Sequence, residues 1–331
     1  MTKLISVNGH SFKLVGDPHI GRVFKTGVPL HRLGEREKMV QDQLALELLS
    51  NDDTPIIIMG DLFDKYSIPD SLVLWLSEVL NEATSWKKIY NLRGNHCVSK
   101  DVNKKGSFDV LERLCPSVVF VNTSHLISLP QHAGSLILFG YDAFKSAKEL
   151  AEEIPDNLNY LAAFGHWDLT AHGEDTHNLI PAEVLARKGV TKAYTGHIHK
   201  PQQVTLHGVP VTAVGSLQPY AHGEELEGET LYQTLGKEEV EELLAENENH
   251  FEDVNIRVLV NSGNTWTVAV PNCLSFQVKV LAVDADDLSD LEVGYEEFST
   301  ANILNKNLVG VSENLTVHIH QRIEHYKSLE N

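Results

Sequence analysis

The chain has 331 residues, 42% hydrophobic and 22% charged, with 27 Lys/Arg against 46 Asp/Glu for a formal net charge of −19. That length supports a well-buried core plus a second, smaller module. Three cysteines (Cys97, Cys115, Cys273) without C-x-x-C spacing argue against a disulfide framework and for a reducing, cytoplasmic setting. The first residues lack a long apolar run, so no secretory leader is expected. No stretch approaches about 18 uninterrupted apolar residues, so no spanning helix is expected either.

In chain order, Leu4 to Val7 and Phe12 to Val15 flank Asn8-Gly9, a tight-turn signal that predicts an opening hairpin. A helix is expected from about Glu35 to Leu49, then a strand over 56–59. Pro69 opens a second helix carrying Leu72, Leu74, Trp75, Val79 and Leu80. A strand over 89–92 and a helix containing Phe108, Val110, Leu111 and Leu114 follow, the latter stopped by Pro116. From Val118 the pattern turns strand-rich, through Leu126-Ile127 and Leu136 to Phe139, into a strand over 161–164. Gln203 to Leu206 and Val209 to Val214 around His207-Gly208 predict another hairpin. Alternating βαβ units that give way to antiparallel strands imply two packed mixed sheets with helices outside.

Five short polar motifs stand where strands should end: Asp17-Pro18-His19, Gly60-Asp61-Leu62-Phe63-Asp64, Gly94-Asn95-His96, Gly165-His166 and Gly196-His197-Ile198-His199. The carboxyl ends of strands in open α/β sheets gather ligands, so the motifs should converge. They bring three Asp, one Asn and five His, hard or borderline O/N donors with no thiolate. Such a set suits a pair of divalent cations of the Mn, Fe, Zn or Mg kind. His172 and His177, just after the fourth motif, read as loop residues, and Cys97 as a small, partly buried one.

Over roughly residues 12 to 220 this series resembles the calcineurin-like metallophosphoesterases. Gly215-Ser216-Leu217-Gln218-Pro219-Tyr220, the second motif and a compact acidic C-terminal extension make it similar to nuclease subunits of the SbcC–SbcD type, particularly phage recombination endonucleases. It departs at Cys97, where the family usually has an acid. The resemblance implies a four-layer αββα sandwich over residues 1–222, a small α+β cap domain over 223–290, and a C-terminal segment, 291–331, that docks on a coiled-coil ABC-type ATPase. It also implies a homodimer built on the helices near 69–82 and 107–114. Carried over motif by motif, Asp17, His19 and His199 would complete one metal site, Asn95, His166 and His197 the other, with Asp61 bridging. His96 would act on the transition state or leaving oxygen, with Asp64 orienting it. The two cations would be Mn²⁺, or Mg²⁺. The implied activity is hydrolysis of DNA phosphodiesters; the alternatives are a phosphoesterase for phosphoproteins, nucleotides or small esters, and a non-catalytic scaffold that binds DNA ends.

The charge is unevenly spread. Residues 1–113 hold 15 Lys/Arg against 15 Asp/Glu, whereas 222–253 hold 12 acids and one Lys. Arg22, Lys25, Arg32, Lys65, Arg93, Lys100, Lys104, Lys105 and Lys200 lie in or near motif loops. Arg22, Lys65 and Arg93 are the candidates for meeting a phosphate backbone. The acidic stretch reads as a short exposed helix around Lys237 to Leu244, followed by strands from Val254 to Val260 and Phe276 to Val283. The last segment, Asn314 to Leu329, has a partial apolar stripe of Leu315, Val317, Ile319, Ile323 and Tyr326.

Overall fold

The computed structural model describes residues 2–281 apart from 100, 102–103, 131–132, 157, 172, 226–227, 229 and 263–265. The C-terminal segment 291–331, Lys100 and His172 therefore lie outside the described residues. Residues 1–260 and 265–279 make one unit; the second, 261–264 with 280–331, is almost wholly outside them.

The chain opens with the hairpin β1 (Thr2–Val7) and β2 (His10–Val15), paired antiparallel with Val7 opposite His10. Asn8 and Gly9 both take positive φ, at 49° and 81°, the left-handed turn that Asn-Gly favours. Strands β3 (Ile56–Ile58), β4 (Ile89–Leu92) and β5 (Val119–Val121) then add in parallel, giving a five-stranded sheet in the order β1-β2-β3-β4-β5. Helices α1 (Glu35–Leu48), α2 (Asp70–Ala83) and α3 (Ser107–Leu114) cover its outer face. Val40, Leu44 and Leu48 recur every four residues along α1, so one stripe of that helix meets Ile56 and Ile58 of the buried strand β3.

The second sheet runs β10-β11-β9-β8-β7-β6, from β6 (Ser124–Ser128), β7 (Ser135–Phe139), β8 (Tyr160–Gly165), β9 (Ala193–Thr195), β10 (Gln202–Leu206) and β11 (Val209–Ala213). The expectation of antiparallel strands after Val118 holds only at its edges. β7, β8, β9 and β11 are parallel, joined in part by two short helices absent from the sequence reading, α4 (Ala147–Glu152) and α5 (Ala182–Arg187). The start of α4 carries a local signal all the same: Ser146 and Glu149 form a reciprocal capping box.

Between the two sheets lies a core of Phe12, Leu14, Ile57, Met59 and Leu92 from one and Leu136, Leu138, Ala162, Phe164 and Tyr194 from the other. Separate cores pack each sheet against its own helices. The architecture is thus a four-layer αββα sandwich. Beyond it, β12 (Tyr232–Gly236), α6 (Lys237–Glu246), β13 (Asn255–Val260) and β14 (Ser275–Val280) build a three-stranded sheet around Val240, Phe251, Ile256 and Val258. β12 has no counterpart in the sequence reading; it pairs parallel with β13, and the acidic helix is the crossover between them.

Phe108, read from sequence as part of a dimer surface, is wholly buried within the chain, and Trp75 packs partly buried against the same core. The exposed apolar residues of those helices are Leu74, Val110 and Leu114, at 54%, 45% and 39%.

Phe164 fills the space between the sheets with no exposure. Phe164→Ala should cost about 3–5 kcal/mol, as large-to-small changes in closed cores do, whereas the exposed Leu46→Ala should cost under about 0.5 kcal/mol. Urea denaturation of the two variants checks the difference.

Candidate metal centre

All five polar motifs leave the carboxyl ends of strands: the first three follow β2, β3 and β4, the fourth and fifth follow β8 and β9. The two sheets stack so that these ends meet. Main-chain bonds then fix the loops to one another: His19 N donates to Asp61 O and Ile20 N to Leu62 O, both at 2.9 Å. Three motif residues, His19, Asp61 and His197, hold φ of 47°, 39° and 69°. Non-glycine residues seldom adopt this left-handed conformation, and it concentrates at functional sites.

The segment Gly215 to Tyr220 clamps the first loop to the fifth. Ser216 N donates to His199 O at 3.0 Å, and the Tyr220 hydroxyl donates to Pro18 O at 2.6 Å. A methyl on Gly16 would lie 1.6 Å from the Gly215 carbonyl oxygen, so the contact requires a bare backbone.

The side chains gather into two sets. Asp17, His19 and His199 bring donor atoms together, as do Asp61, His166 and His197, and a third grouping joins His19, Asp61 and His96. Asp61 is central. Its Oδ1 accepts from the main-chain N of His96 at 3.0 Å, while Oδ2 faces His166 Nε2 at 3.2 Å, His96 Nε2 at 3.8 Å and His19 Nε2 at 4.0 Å. Asn95 Oδ1 completes the second set, 2.9 Å from His166 Nε2 and 3.1 Å from His197 Nδ1.

Each imidazole has its outward nitrogen tied to an acceptor, with one exception. His166 Nδ1 donates to Met59 O at 3.0 Å and His96 Nδ1 to Asp64 O at 2.6 Å. His197 Nε2 lies 2.8 Å from Asp168 Oδ1, and His199 Nδ1 lies 3.0 Å from Glu224 Oε1. His19 is the exception, with Nδ1 buried and without a hydrogen-bond partner among the described residues. Asp168 and Glu224 are absent from the sequence reading. Asp168 follows His166 by two residues, a weak signal; Glu224 sits among many acids, where the pattern singles out none.

The Asp64–His96 contact differs from expectation. Asp64 holds His96 through its main-chain carbonyl. Its carboxylate instead faces His19 Nδ1 at 3.6 Å and Arg22 Nη1 at 3.8 Å. Of the other cations, Arg93 is paired with Asp109 at 3.2 Å and Arg32 with Glu35 and Asp253, while Lys65 is exposed beside Asp64. His177 bonds Asp142 O at 2.7 Å. Cys97 is fully buried, and burial first, then Asp61, pushes its thiol up to about 12, so it holds its proton and offers no thiolate.

The electrostatics ask for positive charge. Burial lowers the His166 pKa, yet Asp61 and Asp17 outweigh it and leave the imidazole raised to about 9. Burial raises the Asp17 carboxyl; both its oxygens are buried without a hydrogen-bond partner among the described residues, and His166 Nδ1 stands 3.7 Å from Oδ1. Burial drives His19 down to about 3, keeping it a neutral donor. Buried carboxylate oxygens, imidazole nitrogens and an amide oxygen turned toward one another fit divalent cations of the Mn, Fe, Zn or Mg kind.

Two mixed sheets with parallel central strands thus bring an acceptor-rich pocket to their converging strand ends, a setting for metal-dependent chemistry. A family model for calcineurin-like phosphoesterases matches residues 10–201, and the chain belongs to that family. Among solved structures it is similar to phosphopantetheinyl hydrolase (PptH) from Mycobacterium tuberculosis, at 14% identity and TM-score 0.41, over 63% of this chain and 93% of that one. It is also similar to a putative 5'-nucleotidase from Staphylococcus aureus, at 12% identity and TM-score 0.37, over 62% of this chain but only 48% of that one. A third is TT1561 of Thermus thermophilus, at 11% identity and TM-score 0.37, over 64% of this chain and 91% of that one. No curated protein matches the sequence. Among the described residues no helix is long and apolar enough to cross a membrane.

A methyl on Gly94 would sit 2.1 Å from Asp61 Oδ1 and 2.2 Å from Asp61 N. Divalent metal should raise the melting midpoint of the wild-type protein, because binding to the folded state alone adds about 2.7 kcal/mol at a hundredfold excess over Kd. Gly94→Ala should remove most of that rise. Gly236→Ala, where a methyl meets nothing within 4 Å, should leave it intact. Thermal denaturation with and without Mn²⁺ is the measurement.

Proposed function

We propose that this protein is a nuclease that hydrolyses DNA phosphodiesters with two divalent cations, Mn²⁺ or Mg²⁺. The observation that carries the reading is a cleft of about 200 Å³ beside the candidate cation site. Arg22, Lys25 and Arg257 line it together with Phe24, Tyr220 and Tyr232. Arg22 lies over the rings of Tyr220 and Phe24, at 5.1 and 5.8 Å, and is 3.8 Å from Asp64. In a chain of net charge −19, cations gathered there suit the phosphates of a nucleotide unit flanking the scissile one, with the partly buried Phe24 beside them while Tyr220 and Tyr232 are buried.

When bound, the two cations supply Lewis acidity, lowering the pKa of water and neutralising charge on the phosphoryl oxygens. The chain's residues hold and orient. Asp17, His19 and His199 would hold one cation and Asn95, His166 and His197 the other, with Asp61 Oδ2 in reach of both sets. Asn95 lends an oxygen without adding charge. His96 is 42% exposed, and its Nδ1 is occupied by the Asp64 carbonyl. Its Nε2 therefore faces the pocket and serves to pass a proton to the departing oxygen. The Asp64 carboxylate lies 3.8 Å from Arg22 at the rim and helps to hold that guanidinium there. A homodimer through Leu74, Val110 and Leu114, and a coiled-coil ATPase that feeds duplex ends, belong to the same reading.

The acid surplus supports a second reading, hydrolysis of nucleotides or other small phosphate esters, for which no extended cationic track is needed. Linear duplex, single-stranded DNA and p-nitrophenyl phosphate esters, each with Mn²⁺ or Mg²⁺, separate the two. Metal-dependent DNA cleavage, weakened by Arg257→Ala, is expected; ester hydrolysis with intact DNA would favour the second reading. His96→Ala should slow hydrolysis by about 10²–10⁴-fold while both metals stay bound. Loss of a metal in that variant, seen by metal analysis, would make His96 a ligand instead.

A further inference from the structure

The two histidines of the fifth loop are oriented oppositely. His197 turns Nδ1 inward, 3.1 Å from Asn95 Oδ1 and 3.2 Å from His166 Nε2, with Nε2 on Asp168 at 2.8 Å. His199 turns Nε2 inward, 3.0 Å from His19 Nε2, with Nδ1 on Glu224 at 3.0 Å. A carboxylate only accepts hydrogen bonds, so the nitrogen it touches carries the proton and the opposite nitrogen presents its lone pair. Two residues apart, the chain thus calls for opposite tautomers.

We propose that Asp168 and Glu224 are positioning residues, one for each cation site, that fix these tautomers and aim His197 Nδ1 and His199 Nε2 at the metals. The proposal rests on the two-cation reading above. Partners of this kind on a ligating imidazole fix its ring and raise its basicity, and removing them costs about 10–100-fold in metal affinity.

The two carboxylates are held in different ways. Asp168 belongs to the sandwich: its N donates to Asn178 O at 3.0 Å, its O accepts from Ile180 N at 2.9 Å, and it bridges to Leu179. Glu224 belongs to the connection that leads to β12. Its Oε2 accepts from Tyr220 N at 2.7 Å and its N donates to Ala221 O at 3.2 Å. One site is thereby oriented from within the fold, the other from the segment leaving it.

Calorimetric titration with Mn²⁺ of the wild type and of Asp168→Ala, Asp168→Asn, Glu224→Ala and Glu224→Gln tests this. A wild-type protein that binds no metal would sink the two-cation reading itself. Given two sites, each alanine variant should weaken one by about 10–100-fold and spare the other. The amide variants, whose oxygen still accepts the N–H, should recover part of the loss. Wild-type affinity at both sites in both alanine variants, or no recovery in either amide variant, would overturn the proposal. Should an alanine variant fail to fold, imidazole ¹⁵N shifts of the wild type decide. A protonated Nε2 on His197 with a protonated Nδ1 on His199 is expected; the same tautomer on both overturns the idea.

Discussion

The constraint on which the rest of the structure depends is a crowd of acceptor atoms in a closed space. Asp17 and Asp61 are buried, their neighbours include His166, His197, His199 and the Asn95 oxygen, and Asp17 has no hydrogen bond to spread its charge. Burying a carboxylate costs several kcal/mol unless its charge is compensated. The pocket therefore draws positive charge, which is why His166 is pushed up to about 9 against the effect of its own burial. A divalent cation answers the same demand with more charge, and the fold around the pocket is what keeps the acceptors from moving apart.

That holding is done mainly by backbone. Five loops meet because two sheets, each with parallel central strands, stack with their carboxyl ends at the same edge, and the intersheet core of Phe12, Met59, Leu138 and Phe164 sets that stacking. The loops then turn sharply, with Asp61, His19 and His197 in the left-handed region and Gly16 and Gly94 tolerating contacts that no side chain would. The Gly215 to Tyr220 segment closes the ring by bonding the first loop and the fifth. Ligand geometry follows from strand packing far more than from side-chain preference.

Much of this is legible in sequence because it is local. Asn8-Gly9 and His207-Gly208 mark hairpins through their own turn chemistry, the triple isoleucine at 56–58 marks a strand buried on both faces, and each polar motif sits directly after its strand. What is not legible depends on partners distant in the chain. β7, β8, β9 and β11 are short apolar runs whose direction the sequence leaves open, since a buried strand reads the same either way. β12 hides in an acidic stretch because only Tyr232 of its five residues is buried. Motif order matches Asp64 to His96, but loop closure brings its carbonyl, not its carboxylate, to that ring. Glu224 reaches His199 across 25 residues, through a turn no pattern announces.

The proposed polyanionic substrate has to be reconciled with an acidic chain of net charge −19. Repulsion between exposed charges is screened within about 10 Å at moderate salt. The acids of 222–253 therefore bear on a substrate only if they stand close to its path, and several are engaged with neighbours: Glu224 with His199, Glu225 with Gly223 N, Glu241 with Lys237 and Asp253 with Arg32. At the site itself the buried carboxylates are the part that cations would neutralise, leaving Arg22, Lys25 and Arg257 as the charges a phosphate meets in the cleft. Asp61 and Asp17 already hold the His166 imidazole up at about 9, so the pocket carries part of the positive charge that a divalent cation would complete. On the proposed reading, each cation held there would lessen the repulsion that a phosphodiester meets at the pocket.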